Sequence, residues 1–213
     1  MGGIFAVDGK ATEVFRTATD LVKLNLLWLL CGIPVVTIGA STTALYSVAI
    51  KMVKNEESYV VKDFFSAFRK NLKQATVVWL MICVAAGILF FDFYFSSHAK
   101  TDGAALLFVP FAMAAILLVM LLLYVFPVMA VFENRIKKVF KNSLLLALAH
   151  LPQTLLVLVI SMGPLAMCFL FASELSLMVY MNFVFGIAFF AWINAHVFVR
   201  LFHPYMTKEN EEV

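Results

Sequence analysis

Charged residues are scarce in this sequence. Of its 213 residues, only 14% are Asp, Glu, Lys or Arg, and 63% are apolar. Ordinary globular domains contain about 25% charged residues and about 45–50% apolar residues. Because a soluble chain of this size needs far more polar surface, the composition excludes a soluble domain. The net charge is only +3, and the basic residues lie between apolar segments, which indicates membrane orientation rather than nucleic-acid binding.

Residues that carry out chemistry are also few. The three cysteines, Cys31, Cys83 and Cys168, lie inside apolar segments and form no CxxC pair, which excludes a disulfide framework and favours packing roles. The four histidines show no metal-ligand spacing, and the sequence contains no G-x-S-x-G motif and no P-loop. We therefore expect no enzyme activity, no cofactor and no metal site.

Long uncharged segments make up more than half of the sequence. Each has 18 or more residues, and they cover residues 24–50, 74–91, 103–132, 142–173 and 175–199. A helix of about 18–20 apolar residues is long enough to cross the hydrocarbon core of a bilayer. The sequence therefore predicts an all-α, polytopic membrane helix bundle that forms a single domain over residues 1–213, with one span for each of the last four segments.

The first segment contains Pro34 near its middle, where a helix kinks or ends. If the chain turns back there, the halves are helices at about 17–32 and 38–53, the bundle has six helices, and both termini are cytoplasmic. That topology leaves 15 of the 16 basic residues inside, whereas a single crossing, with five spans, leaves 12 inside. The positive-inside rule favours the Pro-broken hairpin. A re-entrant hairpin that never reaches the far side fits the same count.

The broken element is rich in small and hydroxyl-bearing residues. Such residues let helices approach closely and bond across a helix interface, and discontinuous helices also form substrate sites in transporters. We therefore predict either a tight packing contact or a ligand site there. Its candidate residues are Pro34, Thr37, Gly39, Ser41, Thr42, Thr43 and Tyr46.

The connector after this element contains an amphipathic stretch. Phe64, Phe65 and Phe68 recur near helical spacing, and Arg69 and Lys70 lie beside them. The pattern predicts a helix that either lies on the membrane surface or docks a cytoplasmic partner.

Four polar residues lie within or beside the later apolar segments. We predict that Asn182 and Asn194 clamp neighbouring helices, and that His150 and His196 are hydrogen-bonded packing residues rather than proton carriers.

Two segments resemble a known family. Residues 20–46, DLVKLNLLWLLCGIPVVTIGASTTALY, and residues 64–75, FFSAFRKNLKQA, are similar to the signature of the YesL family. The specific resemblance extends over about residues 15–76. It implies a small integral membrane protein of Gram-positive bacteria, in a family catalogued as a domain of unknown function. The family's genes often lie beside carbohydrate ABC importers, secreted glycan-degrading enzymes or two-component sensors. The resemblance supplies no catalytic residues.

These observations lead to two hypotheses of function. The first is an accessory protein of the bacterial cell membrane, associated with a carbohydrate ABC importer or its sensor kinase and lacking catalytic activity of its own. The alternative is a small transporter or facilitator for a neutral solute, suggested by the broken, hydroxyl-rich element. The expected partners are membrane lipid and importer or sensor subunits, with no nucleic acid.

Overall fold

The computed structural model describes residues 5–56, 59–98, 104–163 and 186–211. All regular secondary structure in these ranges is helical, which confirms the predicted all-α class. The elements are α1 (Phe5–Gly32), a 3-10 turn (Val35–Thr37), α2 (Ile38–Val53), α3 (Val60–His98), α4 (Ala104–Val131), α5 (Ile136–Ala149), α6 (Leu151–Ser161) and α7 (Ile187–Glu211).

Several of these segments are long and apolar enough to cross a membrane. By length and composition they are Val35–Val53, Val60–Ser96 and Val109–Val131, and α5 with α6 forms a fourth if the bent pair counts as one span. This set is consistent with the predicted multi-pass membrane protein. The predicted number of six membrane-crossing helices is not confirmed.

The first apolar segment turns back on itself, as the hairpin hypothesis predicts. Pro34 has extended backbone angles (φ −73°, ψ 111°), so α1 ends before it. Beyond the turn, α2 runs antiparallel to α1. The Trp28 indole donates to Thr42 Oγ1 at 3.1 Å, and the Ser41 hydroxyl donates to the Trp28 carbonyl at 2.9 Å. α2 has the predicted bounds, whereas α1 begins earlier than predicted. The whole segment is therefore not one continuous helix.

α3 is one uninterrupted helix of 39 residues. The amphipathic stretch and the apolar segment 74–91 both lie within it, so the stretch does not form a separate helix. The charges at Arg69, Lys70 and Lys73 mark a part of the helix that lies in a polar environment, but charged residues do not end a helix. The sequence has no Pro in this range and only one Gly, Gly87, so the helix continues.

The fourth apolar segment is bent rather than straight. α5 ends at Ala149, α6 begins at Leu151, and their axes differ by 102°. His150 between them has non-helical angles (φ −125°, ψ 53°), and Pro152 lacks the amide hydrogen that a continuing helix needs. The described part of the predicted span over 142–173 is therefore broken by this bend, and α5 and α6 together remain long and apolar enough for one crossing. The last apolar segment, 175–199, is described only from residue 186, where it leads into α7.

Three clusters of buried side chains form the core. The first contains residues of α1, α2, the start of α3 and α7. The second contains residues of α2, α3, α4 and α5, and the third contains residues of α4, α5, α6 and α7. Tyr46 is partly buried and packs against all three clusters. α2 therefore occupies the centre of the described fold.

α2 also runs antiparallel to α3 and lies close to it from one end of α2 to the other. The Lys51 ammonium lies 3.3 Å from the Asp63 carboxylate near one end of α2. Near the other end, a Cβ atom on Gly39 would lie 2.7 Å from the Ala75 carbonyl oxygen. Only a residue without a side chain allows this approach. The close contact predicted at Gly39 is therefore confirmed.

Candidate functional site

The hydroxyl groups of the broken element bond within the protein. Thr37 Oγ1 donates to the carbonyls of Cys31 (2.6 Å) and Pro34 (2.7 Å), and Thr43 Oγ1 donates to the Gly39 carbonyl (2.9 Å). Ser41 and Thr42 both bond to Trp28, as described above. The Thr43 bond lies within α2, whereas those of Ser41 and Thr42 join α2 to α1. Because all of these groups have partners within the protein, the geometry supports the packing interpretation over a ligand site.

Tyr46 completes the predicted set on α2. Its ring meets Phe198 of α7 edge to face, with a centroid separation of 5.8 Å. Such aromatic pairs stabilise a fold by about 0.5–1.5 kcal/mol beyond the area they bury. Tyr46 thus links the hairpin to α7.

The aromatic stripe of α3 faces the core. Phe64 is fully buried, and Phe65 and Phe68 are partly buried in the cluster that contains Leu21 and Leu24 of α1. This placement corrects the prediction of a lipid or partner surface for Phe64, because the hairpin itself covers the ring. Sequence reasoning missed this cover because periodicity shows that a helix face is apolar without showing what packs on it.

Arg69 and Lys70 remain exposed beside the stripe, and Lys70 lines a polar cleft. The cleft has a volume of about 560 Å³ and lies between α2, α3 and the connection from α4 to α5. Its polar lining includes Ser47 and Lys51 of α2, Asp63, Lys70, Asn71 and Gln74 of α3, and Glu133, Asn134 and Arg135 after α4.

Ion pairs and a side-chain hydrogen bond fix the shape of the cleft. Lys51 pairs with Asp63, Lys70 pairs with Glu133, and Gln74 Nε2 donates to the Asn134 carbonyl at 2.6 Å. The Lys70 ammonium, through its hydrogen bond and its positive charge, lowers the pKa of the exposed Glu133 carboxyl below its ordinary value. Glu133 is therefore ionised at neutral pH.

The cleft combines positive and negative side chains. Lys51, Lys70 and Arg135 line it together with Asp63 and Glu133. Arg135 adds a guanidinium that, among the described residues, forms no ion pair. An acidic group on a partner would find a planar, bidentate donor there.

Buried amides join helices that are distant in the sequence. Asn25 is fully buried, and its Oδ1 accepts the backbone N–H of Ala188 at 2.9 Å, which ties α1 to α7. Asn194 Nδ2 donates to Ser161 Oγ at 2.9 Å, so the predicted helix clamp at Asn194 is confirmed. Asn182 lies outside the described residues. The signal for Asn25 was an amide inside an apolar segment, which membrane interiors tolerate only when it has a partner.

The two histidines bond to backbone carbonyls one helical turn earlier. His150 Nδ1 lies 3.3 Å from the Leu146 carbonyl oxygen, and His196 Nδ1 lies 3.0 Å from that of Trp192. His150 is partly buried, which agrees with its predicted packing role, whereas His196 is exposed and its packing role is not confirmed. Within the described ranges, no group of three or more His, Cys, Asp or Glu residues is placed to hold a metal ion.

Comparisons with known proteins agree with the sequence resemblance. A family model described as "Protein of unknown function, DUF624" matches residues 21–93, which include the hairpin turn and most of α3. The chain is 30% identical over 151 residues to "Uncharacterized protein YesL" of Bacillus subtilis (strain 168), covering 69% of this chain and 71% of the relative. It is 29% identical over 165 residues to "Uncharacterized protein YteU" of the same strain, covering 73% of each. No solved structure matches the chain.

Proposed function

Because the chain belongs to the YesL family, we propose that it is an accessory protein of the bacterial cell membrane. In this proposal it binds a subunit of a carbohydrate ABC importer, or the sensor kinase that controls one, and has no catalytic activity of its own. The class of partner rests on the family resemblance. The polar cleft is the observation that supports docking.

The cleft lies at the basic end of the helices. Lys51, Lys70 and Arg135 all contribute to it, and Lys73 and Lys137 lie nearby in the sequence. The positive-inside rule assigns such an end to the cytoplasm. Importers and sensor kinases both have cytoplasmic parts, so a charged recess on this side is accessible to them.

Two features favour docking over passage of a solute. The hydroxyl groups of the broken element bond within the protein, and the residues that pack beyond the cleft are apolar. Ala75 and Val78 are both buried there. The described structure therefore presents a recess that ends in a packed core.

One observation favours the alternative, a facilitator for a neutral solute. The Asn194 Oδ1 atom is buried and, among the described residues, has no hydrogen-bond partner. A polar atom of this kind can line a route for a solute with hydroxyl groups. Uptake of labelled neutral sugars into liposomes that contain the purified protein would support this alternative, and uptake equal to that of empty liposomes would count against it.

Co-purification from membranes tests the docking proposal. The protein is expressed with importer permease subunits and the sensor kinase, and the retained subunits are quantified by mass spectrometry. We expect Arg135→Glu to lower retention at least about tenfold, which corresponds to roughly 1.4 kcal/mol of binding free energy. Arg69→Glu is the matched control, because Arg69 is exposed on the neighbouring helix but does not line the cleft.

Expression level and detergent stability of both variants should equal those of the parent. If the parent retains neither importer subunits nor kinase, the accessory role is wrong. If Arg135→Glu retains as much as Arg69→Glu, the partner binds elsewhere on the protein.

A further inference from the structure

The register of α2 on α3 bears on how the first hairpin meets the membrane. We propose that the α1–α2 hairpin is re-entrant: its tip, residues 30–37, enters only the cytoplasmic side of the hydrocarbon core, and the body of α2 lies outside that core. This inference concerns contact with lipid and is separate from the partner proposed above.

The body of α2 lies beside the charged part of α3. Between the Lys51–Asp63 ion pair and the Gly39–Ala75 contact, the two helices run side by side. The same stretch of α3 carries Arg69, Lys70 and Lys73, all exposed. Charged side chains are costly inside a bilayer. α2 is apolar enough to span, but this neighbour places its body at the level of water and headgroups.

The hydrocarbon core begins near Gln74. From there α3 carries no charge until Asp92. The contacts between α3 and the C-terminal end of α4 show which residues of α4 lie at the same depth as Gln74. Lys70 pairs with Glu133, and Gln74 bonds to the Asn134 carbonyl. α3 and α4 therefore enter the apolar layer together at this level.

The hairpin tip lies a short way past that level. The Trp79 indole donates to the Val35 carbonyl at 2.8 Å. Trp79 is five residues beyond Gln74, about 7–8 Å along a helix, whereas α3 continues for about 26 Å more to Ser96. The tip therefore ends near the cytoplasmic boundary.

The surface of the tip is apolar and open. Leu30, Ile33, Val35 and Val36 are exposed, with 76% of Ile33 accessible. The exposed Leu80 of α3 lies next in sequence to Trp79 and therefore at the level of the tip. Acyl chains are the occupant that this uncharged surface fits.

The backbone of the tip is also prepared for an apolar solvent. A break in a helix frees carbonyl groups, and in lipid these groups need partners within the protein. Thr37 Oγ1 donates to the carbonyls of Cys31 and Pro34, and Trp79 donates to that of Val35. The carbonyls of Pro34 and Val35 also accept the backbone N–H groups of Thr37 and Ile38, so the turn has the internal partners that an apolar surrounding requires.

Spin-label accessibility tests the depth of the tip. Labels are attached to single cysteines in a variant lacking Cys31, Cys83 and Cys168, and the full chain is reconstituted into phosphatidylglycerol–phosphatidylethanolamine vesicles. The tip positions are Ile33→Cys and Val36→Cys. Two positions are labelled so that the depth of the tip can still be measured if one of the variants fails to fold. The references on α3 are Arg69→Cys for water, Leu80→Cys for the level of the tip and Val84→Cys for the middle of the bilayer.

We expect the ratio of oxygen to nickel-complex accessibility at the tip to exceed that at Arg69→Cys, to equal that at Leu80→Cys and to be lower than that at Val84→Cys. A ratio as low as at Arg69→Cys places the tip in water and overturns the proposal, and so does a ratio as high as at Val84→Cys. A tip label that pulsed EPR places nearer to Phe95 than to Arg69 overturns it as well, because the hairpin would then reach the far side.

Discussion

At Gly39, α2 lies close to both α3 and α4. A Cβ atom there would lie 2.7 Å from the Ala75 carbonyl oxygen, 2.7 Å from Trp79 Cβ and 3.1 Å from the Phe126 ring. Two of these atoms belong to or adjoin the α3 backbone and do not move without shifting the helix. The position therefore requires glycine because of space rather than because of an unusual backbone angle.

We predict that Gly39→Ala lowers the free energy of unfolding by about 1–3 kcal/mol, the usual cost of overpacking a core. Thermal unfolding in detergent measures the change. Gly87→Ala is the matched control, because nothing lies within 4 Å of its added Cβ. Alanine favours a helix over glycine by about 1 kcal/mol, so the control should be neutral or slightly more stable. Equal melting temperatures for the two variants would contradict the close approach.

Glu133 is the residue whose ionisation the cleft controls. The Lys70 ammonium lowers the pKa of this carboxyl in the folded protein, so the pair contributes stability above the unfolded-state pKa. That contribution is lost as the pH falls through the folded-state value. The charge pattern around Glu133 is therefore constant near neutral pH.

We predict that Lys70→Met raises the pKa of Glu133 towards its ordinary value, because both the hydrogen bond and the positive charge are removed. Carboxyl NMR titration of labelled protein in micelles measures it, with Arg69→Met as the control. Both side chains of the Lys70–Glu133 pair are largely exposed, so added salt should produce a shift in the same direction. An unchanged titration curve in Lys70→Met would show that the pair does not form in solution.

At the scale of the element, the hairpin turn is also bonded to a donor outside the hairpin. The Val35 carbonyl accepts the Trp79 indole N–H as well as the backbone N–H of Ile38, so the indole ties α3 to the turn. We predict that Trp79→Phe keeps the ring in place but speeds amide exchange in residues 30–40 about fivefold. This corresponds to roughly 1 kcal/mol for one hydrogen bond.

Hydrogen–deuterium exchange followed by mass spectrometry resolves this segment. Leu80→Ala serves as the control, because it truncates an exposed neighbour on α3 without removing a donor. If both variants exchange equally fast, the loss of packing at this level, rather than the hydrogen bond, explains the effect.

Sequence patterns located some elements well and others poorly. The uncharged segment 103–132 predicted the C-terminal end of α4 to within one residue, because the first charge after it, at Glu133, marks the end of the apolar helix. Pro34 marked the hairpin turn because its missing N–H acts locally. The continuity of α3 was missed, since charges at Arg69 and Lys70 mark a change of solvent and not the end of a helix. The bend at His150 was missed because the segment around it carries no charge.

At the scale of the whole molecule, the hairpin determines where the chain begins relative to the membrane. A turn that returns α2 to the side of α1 places the N-terminal residues with the basic connectors, where 15 of the 16 basic residues are counted. We predict that reporter fusions at Ala6 and Val213 both give a cytoplasmic signal. A fusion at Phe95 should give the external signal that calibrates the assay, and an external signal at Ala6 would contradict the hairpin topology.

The bond between Asn25 and Ala188 spans 163 positions of the chain. At synthesis rates of about 5–20 residues per second, the donor is made roughly 10–30 s after the acceptor. Throughout that interval the Asn25 carboxamide and the apolar faces of Leu21 and Leu24 lack the partners that α7 later provides. The N-terminal hairpin is thus synthesised first, but its packing is completed only when α7 has been synthesised. Until then, the insertion machinery or lipid must cover its amide and apolar side chains.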